Sequence, residues 1–572
     1  MRCLIACLLI VLVSDQYTPA ADAPSVARET VMVPMRDGVR LATDIYRTSE
    51  TTHAPVLLMR MPYNKPGGRS AAERFAASGY IAVVQDCRGR YESEGVFVPY
   101  DHEGQDGFDT CEWLLRQSWC DGRIGMWGAS YVGATQWQAA VEHPPGLVAI
   151  TPTATFSSFY RNLYLGGAVR LLLIARWAAT QSVKPDDATV TSDWNRTLKF
   201  LPLSGIDRDI GWPIPWLVGM LTHPSPTGYW KRLDMTDEIT DLELPIQHTV
   251  GVYDFFARES VNNFVRMQQH AKNPLVRSRQ QLILGPWDHG TIGKSKVGQL
   301  DFGPNAELDA IGENLAWFNR FVKQEPALIS QPFPAVRYFS MGDNLWHDAE
   351  TWPPHSLPPK SFYLHSRGRA NSSQGDGRVD VTPPSIEEPD DSFLADPDDP
   401  VPACPDTIPI AEATWAPVDQ RTIEARSDTL VYTSAPLEQP LTFAGDASME
   451  LFVSADTPDA DWVVRLVDVH PDGFAQNLAV GIQRGRFRDS DLRPSPLKPG
   501  EVYRLLIDLG PIAARLDKDH QLRIDISGAY FPLFDRNPNT GEGPFGSRSQ
   551  IARETVHHRP TASSRLLLPC TP

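Results

Sequence analysis

Six short runs between Pro55 and Gly290 are apolar almost without a break: PVLLMRMPY (Pro55–Tyr63), YIAVVQDCRG (Tyr80–Gly89), IGMWGAS (Ile124–Ser130), LVAITPTAT (Leu147–Thr155), IQHTVGVYD (Ile246–Asp254) and QLILGPWDHG (Gln281–Gly290). A strand with one wet face alternates apolar and polar residues. A strand that is apolar in succession must be covered on both faces. Longer amphipathic stretches lie between these runs: Ala71–Ser78, Gly104–Gln117, Tyr131–Glu142, Arg258–Ala271 and Leu308–Val322. Doubly covered strands alternating with helices predict an α/β architecture, a parallel sheet joined by right-handed crossovers.

At 572 residues the chain is too long for one hydrophobic core. The rhythm breaks between Phe156 and Asp241, where RLLLIARWAAT and IPWLVGMLT carry several tryptophans and no clear strand. This interval is expected to be a helical insertion over the carboxyl edge of the sheet. After about Gln331, glycine, proline and aspartate become frequent, and SIEEPDDSFLADPDDPVP (Ser385–Pro402) reads as a polar loop. The runs LTFAGDASMELFVSAD, DWVVRLVDVHPDG and QLRIDISGAYFPLF then predict antiparallel strands of a two-sheet jelly-roll sandwich.

The amino terminus, MRCLIACLLIVLVSDQYTPAADA, has a basic start, an apolar run from Cys3 to Val13, and small residues at Ala21 and Ala23. It reads as a secretory signal peptide, so the mature chain is expected in the periplasm or outside the cell. A lipoprotein-like Leu4-Ile5-Ala6-Cys7 precedes the apolar run instead of following it, which argues against a lipid anchor. No later run is long enough to cross a bilayer. The net charge of −17 argues against nucleic acid and anionic membrane surfaces as partners. Past the signal, Cys87, Cys111, Cys120, Cys404 and Cys570 show no metal-ligand spacing. Cys404 and Cys570 are a candidate disulfide after export, and the other three read as buried thiols.

GMWGASYVGATQWQAA (Gly125–Ala140) places Ser130 between a short strand and a helix-prone run. On such a turn only small residues fit around the serine, and Gly128 and Gly133 supply the room. This is a nucleophile-elbow arrangement with Val132 where the second glycine of G-x-S-x-G normally stands. It aims the Tyr131 backbone N–H, at a helix amino terminus, toward an oxygen developing on an attacked carbonyl. The bland alternative is a helix N-cap serine. A serine needs a base and a carboxylate to orient it. Asp254 ends IQHTVGVYD and His289 follows LILGPWD, in the order Ser, Asp, His that an α/β-hydrolase uses. Asp288 is a rival carboxylate, but its place beside His289 in sequence suits it poorly to bond the ring. The candidate catalytic residues are Ser130, Asp254 and His289.

WCDGRIGMWGASYVGATQWQAA, together with VPMRDGVRLATDIYR, QDCRGRYESEG, GVYDFF, GPWDHG and DRNPNTGE, resembles the serine hydrolase family that includes bacterial cocaine esterase, α-amino acid ester hydrolases, glutaryl acylases and X-Pro dipeptidyl-peptidases. The resemblance spans nearly the whole mature chain, and G-x-S-Y-x-G is that family's elbow form. It implies an α/β-hydrolase core in two parts, 24–155 and 242–328, after a signal peptide at 1–23. It also implies a helical cap at 156–241 and a jelly-roll sandwich like the X-Pro dipeptidyl-peptidase C-terminal domain at 329–572. A tyrosine ending the third strand acts as second oxyanion donor in the family, and MRMPYNK places Tyr63 there. Asp86 and Arg88 are expected to pair beneath the nucleophile, and Asp106 and Asp109 to cap or salt-bridge a helix.

α-Amino acid ester hydrolases hold the substrate ammonium with acidic residues just past the catalytic aspartate. Here Asp254 is followed by Phe255, Phe256 and Ala257. An ammonium would lose its hydration there without a charged partner. Dipeptidyl-peptidases also grip a free amino terminus, and usually carry a longer amino-terminal domain. The expectation is an esterase for small-molecule esters with an apolar or aromatic acyl group. An X-Pro dipeptidyl-peptidase or amide acylase with the same triad is the alternative. Phe255, Phe256 and Trp177 are candidate pocket residues, and Trp194 is a weaker one. The chemistry calls for no metal or organic cofactor, and the sequence leaves a homo-oligomer open.

Overall fold

The computed structural model describes residues 25–182, 193–329 and 331–571. The signal-peptide segment 1–23 lies outside the described residues. The central feature is a ten-stranded sheet whose spatial order is Val26–Pro34, Arg40–Thr48, Ile81–Asp86, Ala54–Met61, Cys120–Ala129, Leu147–Thr153, Ile246–Gly251, Gln280–Gly285, Val336–Ser340 and Leu345–Ala349. The strands from Ile81–Asp86 through Val336–Ser340 run parallel. Every residue of Ala54–Met61, Ile81–Asp86, Ile246–Gly251 and Gln280–Gly285 is buried, which is why these segments read as unbroken apolar runs. Helices Arg69–Ala77, Glu103–Leu115, Tyr131–Val141, Ala257–His270 and Ala310–Phe321 fill the crossovers.

The sheet continues past the expected boundary at 328. Val336–Ser340 adds in parallel to Gln280–Gly285, and Leu345–Ala349 closes the edge antiparallel to it. Leu345–Ala349 is only partly covered, so it looks in sequence like a strand of the following sandwich.

The cap over the carboxyl edge comprises helices Phe159–Leu163, Leu171–Ser182, Trp194–Leu198, Ile206–Ile210 and Pro215–Thr222. It also contains a two-residue ribbon, Tyr164–Leu165 with Ala168–Val169, that is too short to leave a sequence signal. The carboxyl-terminal part is a twelve-stranded antiparallel-rich assembly in which Leu441–Ala455, Asp461–Val469, Ala475–Arg484, Tyr503–Leu516 and Gln521–Ser527 form most of the core. One apolar cluster runs from Leu282, Trp287, Phe264 and Met341 of the sheet layer into Trp462, Ile512 and Ile524 of the sandwich. The two parts therefore share a core.

All five described cysteines are free. Cys404 sits in the cluster beneath the cap, whereas Cys570 packs against the sandwich cluster, so the two candidate disulfide partners belong to different layers. Among the described residues, no helix is long and apolar enough to cross a membrane.

Candidate active site

Ser130 stands between strand Cys120–Ala129 and helix Tyr131–Val141 at φ 62°, ψ −127°. A non-glycine residue there is strained, and it persists only when its surroundings over-determine it. They do. Ser130 N donates to Thr153 O at 2.9 Å. Its carbonyl accepts from Gly133 N, Ala134 N and the Thr155 hydroxyl. The shifted glycine spacing has a steric reason. A Cβ on Gly128 would lie 2.3 Å from Val132 Cγ1, so the Val132 side chain occupies the space that Gly128 vacates. The close approach moves to Gly133, where a Cβ would meet Thr155 at 2.7 Å.

Asp254 and His289 follow adjacent parallel strands, Ile246–Gly251 and Gln280–Gly285. A Cβ on Gly251 would lie 2.0 Å from Trp287 O, so only glycine lets the two strand ends come this close. Tyr253 N then bonds Trp287 O at 3.0 Å and fixes the two loops against each other. His289 Nδ1 is 2.9 Å from Asp254 Oδ2, and the carboxylate is fully buried. Its other oxygen, Oδ1, accepts from Phe256 N at 2.7 Å. The rival Asp288 turns away and accepts from Gly290 N and the Thr291 hydroxyl.

Tyr63 lies two residues past strand Ala54–Met61, lines one cavity with Ser130, and its hydroxyl accepts from Trp177 Nε1 at 3.1 Å. Burial pushes the phenol pKa up, which keeps its proton available for donation. The Tyr131 N–H, in the first turn of its helix, has no protein acceptor among the described residues. Ser130 and His289 line one cavity together with Tyr63, Trp177, Phe255 and Phe256. The resting hydrogen bonds join His289 to Asp254 and Trp177 to Tyr63. The serine-to-imidazole bond is not made in them, as is common before substrate binds. The Phe255 and Phe256 rings stand 4.4 and 5.2 Å from the imidazole. Trp194 packs at the edge of the cap cluster and is not part of the cavity wall.

Tyr100, Phe159, Asn162, Leu163, Leu173 and Ile174 complete that wall. The sequence does not single them out, because Tyr100 sits in a loop and the others in cap segments whose apolar residues look alike. Asn162 is held from behind by Arg170, whose Nη1 donates to its carbonyl and to its Oδ1 at 2.8 Å. A second cleft meets Ser130 and His289 from the opposite side, between Gly68, Trp127, Ile292 and Ile311. A capacious groove lies elsewhere, among Leu147, Pro245 and Ser278, and contains none of these residues.

Beneath the elbow a buried charged network sets the helix. The Tyr131 hydroxyl donates to Glu103 Oε1 at 2.8 Å, and Arg60 Nη2 is 3.0 Å from Glu103 Oε2. The expected Asp86–Arg88 pair is not formed. Arg88 instead reaches Asp106 and Asp37, each at 2.6 Å, while Asp86 accepts from Lys65 N at 2.7 Å. Asp106 and Asp109 are ion-paired on their helix, the latter to Arg36 at 2.7 Å. Strand Ile81–Asp86 ends at Asp86, and the turn that follows carries Arg88 to Asp37 and Asp106, so the nearer partners come from other elements.

Glu259, in the first turn of helix Ala257–His270, is buried, and desolvation raises its pKa from 4.5 to about 7. The folded state thus keeps a proton that the unfolded chain releases. The stability held below pH 4.5 is lost as pH rises through 7, by up to about 3 kcal/mol. Glu259→Gln is expected to shrink the fall in unfolding free energy between pH 5 and pH 8 by up to about that amount. Paired urea titrations at the two pH values measure it.

Residues 37–291 match the X-Pro dipeptidyl-peptidase (S15) family, and residues 331–567 match the X-Pro dipeptidyl-peptidase C-terminal non-catalytic domain. Cocaine esterase of Rhodococcus sp. (strain MB1 Bresler) is 35% identical over 564 residues, covering 94% of this chain and 95% of its own. An α-amino acid ester hydrolase structure superposes with a TM-score of 0.84 at 25% identity, over 97% of this chain and 98% of its own. An aminopeptidase from a marine sediment archaeon, Thaumarchaeota archaeon, does so with the same figures. With an elbow serine at the carboxyl edge of a parallel sheet, a cap above it and a sandwich beside it, the chain belongs to the cocaine esterase and X-Pro dipeptidyl-peptidase (S15) family of serine hydrolases.

Proposed function

We propose that the protein is an exported esterase that cleaves carboxylic esters with an apolar or aromatic acyl group through an acyl-enzyme on Ser130. The wall of the Ser130 cavity carries this reading. Tyr63, Tyr100, Phe159, Leu163, Leu173, Ile174, Trp177, Phe255 and Phe256 surround the space, and no carboxylate lines it among the described residues. Apart from Asp254, which is engaged with His289, Arg170 stands behind wall residue Asn162. Burial pushes the Arg170 pKa down to about 9, which still leaves it cationic near neutrality. A substrate ammonium would lose its water against aromatic rings and face a like charge.

In the proposed reaction Ser130 Oγ attacks the ester carbonyl as His289 Nε2 takes its proton. Asp254, bonded to Nδ1, holds that tautomer and stabilises the imidazolium. The tetrahedral oxygen accepts hydrogen bonds from the Tyr63 hydroxyl and the Tyr131 N–H. Collapse breaks the bond to the alkoxy oxygen, which leaves as the alcohol with the proton from His289. Water then attacks the acyl-enzyme, giving its proton to His289, and Ser130 departs with that proton. Loss of one oxyanion donor costs about 10²–10³ in kcat. Tyr63→Phe is expected to show that loss with KM little changed, measured on a p-nitrophenyl ester.

The match of residues 37–291 to a peptidase family favours the second reading, a dipeptidyl-peptidase or amide acylase with the same residues. Steady-state kinetics separate the two. A neutral p-nitrophenyl benzoate is expected to exceed an α-ammonium ester of similar shape by about 100-fold or more in kcat/KM, the effect of one unpaired charge in an apolar pocket. Preference for Xaa-Pro p-nitroanilides would overturn the esterase assignment. Export rests on the segment 1–23, and amino-terminal sequencing of protein recovered outside the cytoplasm tests it.

A further inference from the structure

Two imidazoles and a carboxylate that the proposed chemistry does not use converge at one end of the sandwich. Asp468 lies near the end of strand Asp461–Val469, His470 follows that strand, and His520 precedes strand Gln521–Ser527. The two strands pair antiparallel with Val469 opposite Gln521, so residues 470 and 520 emerge side by side. His520 Nδ1 is 2.8 and 3.0 Å from the two Asp468 oxygens. His470 Nε2 is 3.6 Å from Asp468 Oδ2 and 3.1 Å from Gln476 Oε1. The two ring centroids are 4.7 Å apart. One donor atom from each of the three residues lies within 4.8 Å of the other two.

A histidine bonded to an aspartate is ordinary structural chemistry and accounts for His520 alone. The Gln476 bond steadies the second ring, which nonetheless presents the same nitrogen to the carboxylate oxygen that faces His520. Metal–ligand bonds of about 2.0–2.1 Å in a tetrahedron put neighbouring ligand atoms about 3.3 Å apart. The separations of 2.8 to 3.6 Å at Asp468 bracket that spacing. Asp468 is nearly buried, while His520 and His470 are 17% and 29% exposed, so solvent reaches one side. Asp517 adds negative potential.

We propose that Asp468, His470 and His520 bind a divalent cation of the zinc class, with water at the fourth position. Two imidazoles select against calcium and magnesium, which take oxygen ligands. The ligands come from two distant segments, so no motif announces the site in sequence.

The test is a zinc titration of the metal-stripped full chain by calorimetry, repeated with cobalt, whose tetrahedral complexes absorb visible light. One equivalent of zinc and a cobalt d–d band are expected. His470→Ala and His520→Ala are each expected to weaken zinc binding by more than the 10–100-fold that loss of an outer-sphere partner costs. Thermal unfolding of the metal-free variants checks that they fold. A wild-type chain that takes up no zinc overturns the proposal, and so does zinc binding that survives both substitutions unchanged. Ester turnover does not enter the readout, so the outcome is independent of the Ser130 chemistry.

Discussion

Ser130→Ala lowers kcat on a p-nitrophenyl ester by about 10⁶, the scale on which removal of an activated serine acts in enzymes of this kind. The loss falls on kcat because the substituted site retains the cavity, the Tyr63 hydroxyl and the Tyr131 N–H. A residual rate above that of water is therefore expected from binding and the oxyanion hole alone. The variant also fails to take up a fluorophosphonate probe that labels the wild type stoichiometrically. Alanine at φ 62° keeps the strain that serine already bears, so unfolding by urea moves little. A variant that retained turnover while folding normally would remove Ser130 from the mechanism.

Asp254→Asn cuts kcat by about 10⁴ and leaves KM nearly unchanged. The reason is the fixed role of each carboxylate oxygen. Oδ1 accepts from Phe256 N at 2.7 Å, and Oδ2 faces His289 Nδ1 at 2.9 Å. An asparagine must keep its carbonyl toward the Phe256 N–H, so its amide NH₂ meets Nδ1. That ring nitrogen becomes an acceptor, the proton moves to Nε2, and the atom facing Ser130 can no longer take a proton. Imidazole NMR resonances report the change of tautomer directly. A variant with the wild-type tautomer and the wild-type rate would show that the carboxylate does not orient the base.

The central strands were readable because burial on both faces leaves no alternation to confuse with another pattern. The turn at Ser130 was readable because few residues tolerate its crowding, and Val132 in place of a glycine became intelligible only with the Gly128 and Gly133 contacts in view. The two strands after residue 328 were not: Leu345–Ala349 closes the edge only partly covered, and a half-covered strand looks alike whichever sheet it joins. Arg88 illustrates the same limit for charges. Its partners Asp37 and Asp106 were each as available in sequence as Asp86, and the register of the strand and helix decided between them. Asn162 and Arg170 carried no local signal at all, because an isolated polar residue in an apolar cap has many equivalent explanations.

The DRNPNTGE segment ties the cap to the sandwich. Asp535 accepts from Val169 N at 2.8 Å and returns its own N–H to Val169 O at 2.9 Å. The same carboxylate grips Arg484 at 3.0 Å, and Arg536 reaches the Lys199 carbonyl. The roof over Ser130 is thus pinned by residues that leave the ribosome more than three hundred positions later. Vectorial synthesis delivers Ser130 early and the clasp near the end. A nascent or prematurely terminated chain therefore holds Ser130 beneath a cap that is not yet clasped.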